Sequence, residues 1–368
     1  MKVLITGAHG FIGKNLGVHL AERKEIDLVE FGRDDAVDSL SKKLVDVDFV
    51  FHLAGVNRPK HIEEFTSGNS NLTATLCQAI IDSKRKIPVI YTSSVQAALD
   101  NPYGASKKSA ERTLMDFSDQ TGSPVYLFRL PNVFGKWCKP NYNSVVGTFC
   151  HNIAHDLPIQ VNDPTAAVRL VYIDDVVNSF ISIMDGAIVK SGFVDVNPVY
   201  EETVGSLADK IYKYKESRLS LISEPVGTGF DRALYSSYLS YLKPDKFSYE
   251  LVKNTDSRGV FVEMLKTKDS GQFSYFTAHP GITRGEHYHH TKTEKFLVVK
   301  GDAVFKFRHV LTDEIHEIRT AGDVPQVVET IPGWTHDITN IGNQEMVVLL
   351  WANEIFDRDN PDTYAKRI

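Results

Sequence analysis

Cysteine is scarce in this chain: three in 368 residues, Cys77, Cys138 and Cys150, with no CxxC pair. So sparse and odd a set argues against a disulfide framework and points to a reducing compartment with ordinary buried thiols. A basic excess is also missing, since 41 Lys and Arg face 47 Asp and Glu, for a formal net charge of -6. That argues against a nucleic-acid binder, whose affinity comes from neutralising phosphates, but leaves room for an anionic small substrate held by a few local cations. No apolar run is long enough to span a bilayer, and the first residues lead straight into VLIT with no signal-peptide pattern. The expected location is therefore the cytoplasm, without membrane or nucleic-acid partners. Low-complexity tracts and internal repeats are lacking too.

What remains, 42% hydrophobic and 24% charged residues, is ordinary globular composition, and the length suits two domains. Apolar runs at 2–6, 26–31, 47–55, 88–94 and 124–130 alternate with helical patterns at 11–22 and 71–83. Continuous apolar strands alternating with helices predict a doubly wound α/β domain, its parallel sheet covered on both faces. Past KPDK at 243–246 the texture becomes short strand-like runs punctuated by Gly, Pro, Asn and Asp: GVFVEML, GQFSYFTA, EKFLVVKG, AVFKFRHV, HEIRT and EMVVLLWA. That is the rhythm of an all-β barrel. The expected division is 1–243 and 244–368.

Gly7, Gly10 and Gly13 in TGAHGFIG follow a strand and open a helix. Glycines let such a turn approach a pyrophosphate, whose charge then lies at the helix N-terminus. The spacing is GxxGxxG, with Phe11 and Ile12 completing the turn. At the end of the second strand, Glu30 comes too early for a ribose hydroxyl if the strand stops at Phe31, while Arg33 suits a 2′-phosphate, so NADPH is the expected cofactor.

Tyr103 and Lys107 in NPYGASKKSAE are four apart and share a helix face. A phenol beside an ammonium is expected to have its pKa lowered and to pass a proton to or from a carbonyl while hydride moves at the carbon. Ser94 stands where ligands bind, at the C-terminal end of a parallel strand, with Ser93 the alternative. With the glycine turn and with HLAG at 52–55, which includes Leu53 and Ala54 beside the cofactor, residues 1–240 resemble the extended short-chain dehydrogenase/reductases that act on nucleotide sugars. The resemblance implies Ser94, Tyr103 and Lys107 as a catalytic trio. It also implies substrate contacts from Asn132 and Arg169, with Lys136 assisting. Val95-Gln96 stand where dehydratases of that family carry Asp-Glu, so a dehydratase is not expected, and exchangeable NADPH points to net reduction.

HYHH at 287–290 places His287 and His289 on one face of a strand, with Glu294 five residues on and His336 behind a Pro-Gly turn. Three imidazoles and a carboxylate suit a divalent metal such as Zn, Fe, Mn or Ni, zinc being the working expectation; His290 could replace His289 at a bulge. The frame from Gly281 to Gly301 and PGWTHDITN resemble the two cupin motifs, over about residues 250–368. Such a metal can polarise a carbonyl and acidify the adjacent C–H, and cupins acting on sugar nucleotides are often epimerases. Tyr288, Lys292 and Lys295 are candidate proton carriers.

The two-domain combination resembles bifunctional enzymes of capsular-polysaccharide synthesis on the route to UDP-N-acetyl-L-fucosamine. It implies C3 epimerisation of a UDP-2-acetamido-2,6-dideoxy-4-hexulose by the cupin, then NADPH-dependent reduction at C4 to an L-talose-configured product, in a homodimer. Two other readings remain open: a reductase of another deoxysugar nucleotide with a structural cupin, and a non-enzymatic NADP(H)-binding redox sensor. An intact Ser94, Tyr103 and Lys107 argues against the sensor.

Overall fold

A computed structural model describes residues 1–187, 190–252, 254–256, 259–261, 265–267, 271–354 and 359–368. Residues 262–264 of the predicted run GVFVEML lie outside them. The chain forms two compact units, Met1–Trp137 with Val168–Glu201, and Cys138–Ala167 with Glu202–Ile368. Among the described residues no helix is long and apolar enough to cross a membrane.

The first unit is built on a parallel sheet. Strands β1 (Lys2–Thr6), β2 (Asp27–Phe31), β3 (Phe49–His52), β4 (Val89–Ser94) and β5 (Val125–Leu130) run in the order β2-β1-β3-β4-β5, extended by the short strand Gly192–Phe193. β1, β3 and β4 are almost wholly buried because helices cover both faces of the sheet, which is why their sequences are continuously apolar. β2 and β3 flank β1 on opposite sides, so the order reverses there. The crevice at the C-terminal ends of β1 and β3 is where an open α/β sheet receives a ligand. Helix α1 (Phe11–Ala21) begins at that crevice, and the helix Pro102–Thr121 starts just beyond β4.

From Ser248 onward the described elements of the second unit are strands, as the change of texture near residue 244 predicts, and all pair antiparallel except Lys266–Thr267, which runs parallel to Ile222–Ser223. One five-stranded sheet runs Ser248–Glu250, Gln326–Glu329, Glu294–Lys300, Met346–Ala352, Gln272–Ala278; the other runs Ile315–Ala321, Asp302–His309, Trp334–Asn340, Thr283–Tyr288, Tyr364–Ala365. Phe296, Leu297, Phe305, Phe307, Ile338, Val348 and Trp351 are buried and supply apolar packing on these sheets. The helices Val145–Ala154, Val204–Ser220 and Gly229–Leu239 belong to this same compact unit.

Candidate functional site

The glycine turn is dictated by close approach. Gly7 has φ +73°, and a Cβ there would lie 2.6 Å from the Ala54 nitrogen; a Cβ at Gly13 would lie 2.3 Å from the Gly7 carbonyl oxygen. Those two glycines let β1 pass directly over Leu53-Ala54 and let α1 pack back on the turn. Gly10 caps α1 in extended conformation with no side-chain cap and no acid in the first turn. The first turn of α1, with Phe11 and Ile12, thus contributes no carboxylate of its own to compete with an anionic pyrophosphate at its dipole end. β2 ends at Phe31; Glu30 sits 3.8 Å from His9, and Arg33 is exposed in the turn that follows. These residues fit a nicotinamide dinucleotide of the NAD(P) type.

At the end of β4 the two adjacent serines part company. Ser93 Oγ donates to Glu111 at 2.5 Å, and Glu111 accepts both Arg129 Nε (2.9 Å) and Nη2 (2.7 Å). Ser94 Oγ accepts the Gln96 amide at 3.2 Å, and its hydroxyl faces the Tyr103 phenol. The eight intervening residues are taken up by a tight turn, Val95–Ala98, on which Gly104 packs so closely that a Cβ would sit 2.2 Å from the Gln96 oxygen. Asn101 then caps the helix by accepting the Gly104 amide. Lys107 is buried; its Nζ donates to the Thr92 carbonyl at 2.9 Å and lies 4.8 Å from the Tyr91 ring centroid.

The electrostatics correct one expectation. The Tyr103 phenol is raised, not lowered: burial outweighs the hydrogen bond to Ser94. Burial also pulls the Lys107 ammonium down to about 8, opposed by the negative charge of Glu111. Glu111 was missed in the sequence, although its spacing of four from Lys107 puts it on the same helix face. His52 of HLAG is held between Thr6 Oγ1 (2.7 Å) and Thr73 Oγ1 (2.8 Å), and burial drives its pKa to about 3, so it ties β1, β3 and the helix Leu72–Asp82 together as a neutral ring.

Of the candidate substrate contacts, Asn132 and Arg169 come together: Asn132 Nδ2 donates to the Arg169 carbonyl at 3.2 Å, and both side chains are exposed. Arg169 Nε stands 3.4 Å from Glu201. Lys136 does not join them. Its ammonium is buried and donates to Asp174 at 2.8 Å, so its charge is already engaged inside the unit.

In the second unit, His287, His289, Glu294 and His336 offer ligand atoms that all lie within 4.8 Å of one another. His287 and His336 face each other across paired strands, and a bulge at Glu286 (φ +58°) immediately precedes His287. Gly285 permits it, since a Cβ there would be 2.8 Å from the His336 carbonyl oxygen. The Pro-Gly turn is tied in by the Gly333 amide, which donates to the His289 carbonyl at 3.2 Å. It is His289 that enters the cluster; the ring of His290 packs instead against Tyr288 and Tyr364.

The donor set fits a cation. His289 Nδ1 faces the Asp362 carbonyl at 2.6 Å, an acceptor only, so Nδ1 carries the proton and Nε2 presents its lone pair. That nitrogen points at Glu294 Oε2, 3.2 Å away, and His336 Nε2 lies 3.5 Å from the same oxygen. Buried lone pairs aimed at one another are what a divalent ion reconciles. Burial drives the His287 imidazole down to about 3, keeping it neutral. Burial pushes the Glu294 carboxyl up, but the flanking imidazoles of His289 and His336 outweigh it and hold the group well below its ordinary range. Of the candidate proton carriers, Lys292 Nζ is held by the Pro361 carbonyl and Thr363, and Lys295 is buried against Glu329.

Comparison with known proteins bears on both units. A model described as "NAD dependent epimerase/dehydratase family" matches residues 3–192, and one described as "Polysaccharide biosynthesis C-terminal domain" matches residues 254–364. The chain is 59% identical over 365 residues, 99% of its own length and 98% of the relative's, to UDP-2-acetamido-2,6-beta-L-arabino-hexul-4-ose reductase of Pseudomonas aeruginosa. The crystal structure of the capsular polysaccharide assembling protein CapF from Staphylococcus aureus matches with a TM-score of 0.69 and 44% identity over 100% of both chains. UDP-glucuronic acid 4-epimerase from Bacillus cereus in complex with NAD shares the fold of the first unit, with a TM-score of 0.53 and 20% identity over 58% of this chain and 83% of that one.

Proposed function

Starting from a chain that belongs to the NAD dependent epimerase/dehydratase family, we propose that it acts twice on one sugar nucleotide, inverting C3 of a UDP-2-acetamido-2,6-dideoxy-4-hexulose and then reducing its C4 ketone. The product has the L-talose configuration and serves capsular polysaccharide as a precursor of UDP-N-acetyl-L-fucosamine. The substrate class is taken from the printed activity of the Pseudomonas aeruginosa relative and the pathway from the resemblance of the two-domain chain. The observation that carries the reductase reading is the placement of Ser94, Tyr103 and Lys107 together at the C-terminal edge of β4, with the Lys107 ammonium anchored on the Thr92 carbonyl.

Ser94 and Tyr103 bind the C4 oxygen, and Tyr103 delivers the proton that turns it into a hydroxyl. A phenol kept above its ordinary pKa by burial holds its proton until the alkoxide forms, the state a reduction requires. The ammonium of Lys107 stabilises the phenolate that remains. The turn Gly7–Gly13, with Leu53 and Ala54, would hold NADPH and Arg33 would meet its 2′-phosphate; the bound cofactor would supply the hydride. Asn132 and Arg169 orient the substrate, Arg169 through the fixed donor fork that suits a diphosphate.

In the second unit a divalent ion held by His287, His289, Glu294 and His336 supplies Lewis acidity toward a carbonyl oxygen and so acidifies the neighbouring C–H. The functional division we propose is 1–243 for reduction and 244–368 for epimerisation, in a cytoplasmic homodimer. Incubating the purified protein with the UDP-4-keto sugar in deuterated water, with and without NADPH, tests both halves. Deuterium should enter C3 without cofactor, and NADPH should be consumed when it is added. Failure to oxidise NADPH with this sugar refutes the reductase; absence of exchange at C3 refutes the epimerase alone.

A further inference from the structure

The C-terminal segment reaches the ring of His289 through Asp362. Asp362 lies seventy-three positions beyond His289 and accepts hydrogen bonds from three consecutive backbone amides after that imidazole: His290 on Oδ1 at 2.9 Å, Thr291 at 2.9 Å and Lys292 at 2.7 Å on Oδ2. Thr291 Oγ1 adds a fourth at 3.0 Å. The same residue's carbonyl accepts from His289 Nδ1 at 2.6 Å. Lys292 closes the arrangement by donating to the Pro361 carbonyl (2.9 Å) and Thr363 Oγ1 (2.7 Å). Beyond it, Tyr364–Ala365 pairs with the strand that carries His287, Ala365 opposite His287 itself. Asp362 takes φ +39°, a left-handed conformation that Asp tolerates better than most side chains.

We propose that Asp362 is a positioning residue for the candidate metal centre: its carbonyl fixes the His289 tautomer and ring orientation, and its carboxylate locks the loop 290–292 that follows. The inference rests on the metal reading given above. A carboxylate on three successive amides is a charge-assisted clamp, stronger than three neutral hydrogen bonds. It holds the carbonyl where only an Nδ1–H imidazole can satisfy it, so the lone pair of Nε2 is directed inward toward Glu294. Arg232, 3.0 Å from Glu354 and 3.8 Å from Asp362, keeps the clamp's charge compensated. A loop tether with no bearing on the metal would hold residues 290–292 and leave the imidazole indifferent.

The test is zinc binding by the full-length protein, measured by competition with a chelating dye, for the natural chain, Asp362→Ala, Asp362→Asn and Glu294→Gln. Outer partners of metal-bound imidazoles are typically worth 10–100-fold in affinity. Asp362→Ala should therefore weaken zinc by about 10–100-fold, Asp362→Asn by less because one oxygen can still accept, and Glu294→Gln more than either. Nitrogen-15 spectra of the zinc-loaded natural chain should give His289 as Nε2-bound with a protonated Nδ1, a signature that needs no variant to fold. Zinc affinity of folded Asp362→Ala within twofold of the natural chain, or a His289 bound through Nδ1, overturns the proposal. If Glu294→Gln also matches the natural chain, the metal reading itself has failed and takes the inference with it.

Discussion

Replacing Lys107 with methionine should abolish reduction and at the same time relieve the folded state of a buried charge. The ammonium's pKa falls from its ordinary 10.5 to about 8 because burial outweighs the attraction of Glu111. At about 1.36 kcal/mol per pH unit, that gap corresponds to about 3 kcal/mol of penalty for keeping the group charged in the fold. Methionine of similar length removes the penalty but leaves the Thr92 carbonyl without its donor, at a cost of about 1–3 kcal/mol. Near neutral pH the variant should therefore range from equally stable to about 2 kcal/mol more stable. The pH dependence is sharper, since the lost hydrogen bond is a constant offset. The folded pKa lies below the unfolded one, so between them the unfolded chain binds the proton more readily and the natural protein gains stability as pH rises. The penalty is full below about 8 and fades toward 10.5, so the natural chain should gain about 3 kcal/mol on the variant across that window. Hydrogen exchange of the β4 amides reads this within the first unit, whatever the second unit does. A stability difference that stays flat from pH 7 to 11, or that moves against the natural chain, refutes the burial argument.

Ser94→Ala should lower kcat by about 10²–10⁴-fold and Ser93→Ala by less than tenfold, since only Ser94 reaches Tyr103; NADPH oxidation rates distinguish them, and a reversed order would reassign the serine. Arg33→Ala should raise KM for NADPH by about tenfold while leaving NADH almost unchanged, as loss of one charge-assisted contact to a 2′-phosphate requires; equal effects on both cofactors would remove Arg33 from the site. Gly13→Ala should weaken dinucleotide binding and lower the melting temperature of the first unit, because its Cβ meets the Gly7 oxygen at 2.3 Å, an overpacking worth about 1–3 kcal/mol; calorimetry with and without NADPH measures both.

The sheet of the first unit was legible because its central strands carry compact apolar runs, VLI in β1 and FVF in β3, that helices bury on both faces. Strand periodicity put Ser94 at the end of β4, and helical spacing put Lys107 one turn below Tyr103. Neither pattern could tell where charges are spent. Lys136 stands in RLPNVFGK like a substrate ligand, yet Asp174 draws its ammonium into the interior; Asp174 is thirty-eight residues away and carries no local mark of the pairing. Ser93 was likewise a credible alternative to Ser94 until Glu111, from another element and itself held by Arg129, claimed its hydroxyl. The raised phenol has the same origin: a charge nearby in sequence is visible, and the burial that overrides it is not.

The metal cluster carries the point further. An alternating strand brings His287 and His289 to one side in principle, but the actual strand ends at Tyr288 and is bulged at Glu286. The bulge sets His287 directly opposite His336, and Gly285 makes room for it by passing under the His336 backbone. A bulge shifts side chains by one position, which is the same displacement that would exchange His289 for His290. What decides between them is the clamp of Asp362 on the amides of residues 290–292, which turns His290 toward Tyr364 and leaves His289 facing Glu294. On the proposal made above, the candidate ligand set depends on the Asp362 carboxylate, seventy-three residues beyond His289, and the spacing of the histidines alone does not determine it.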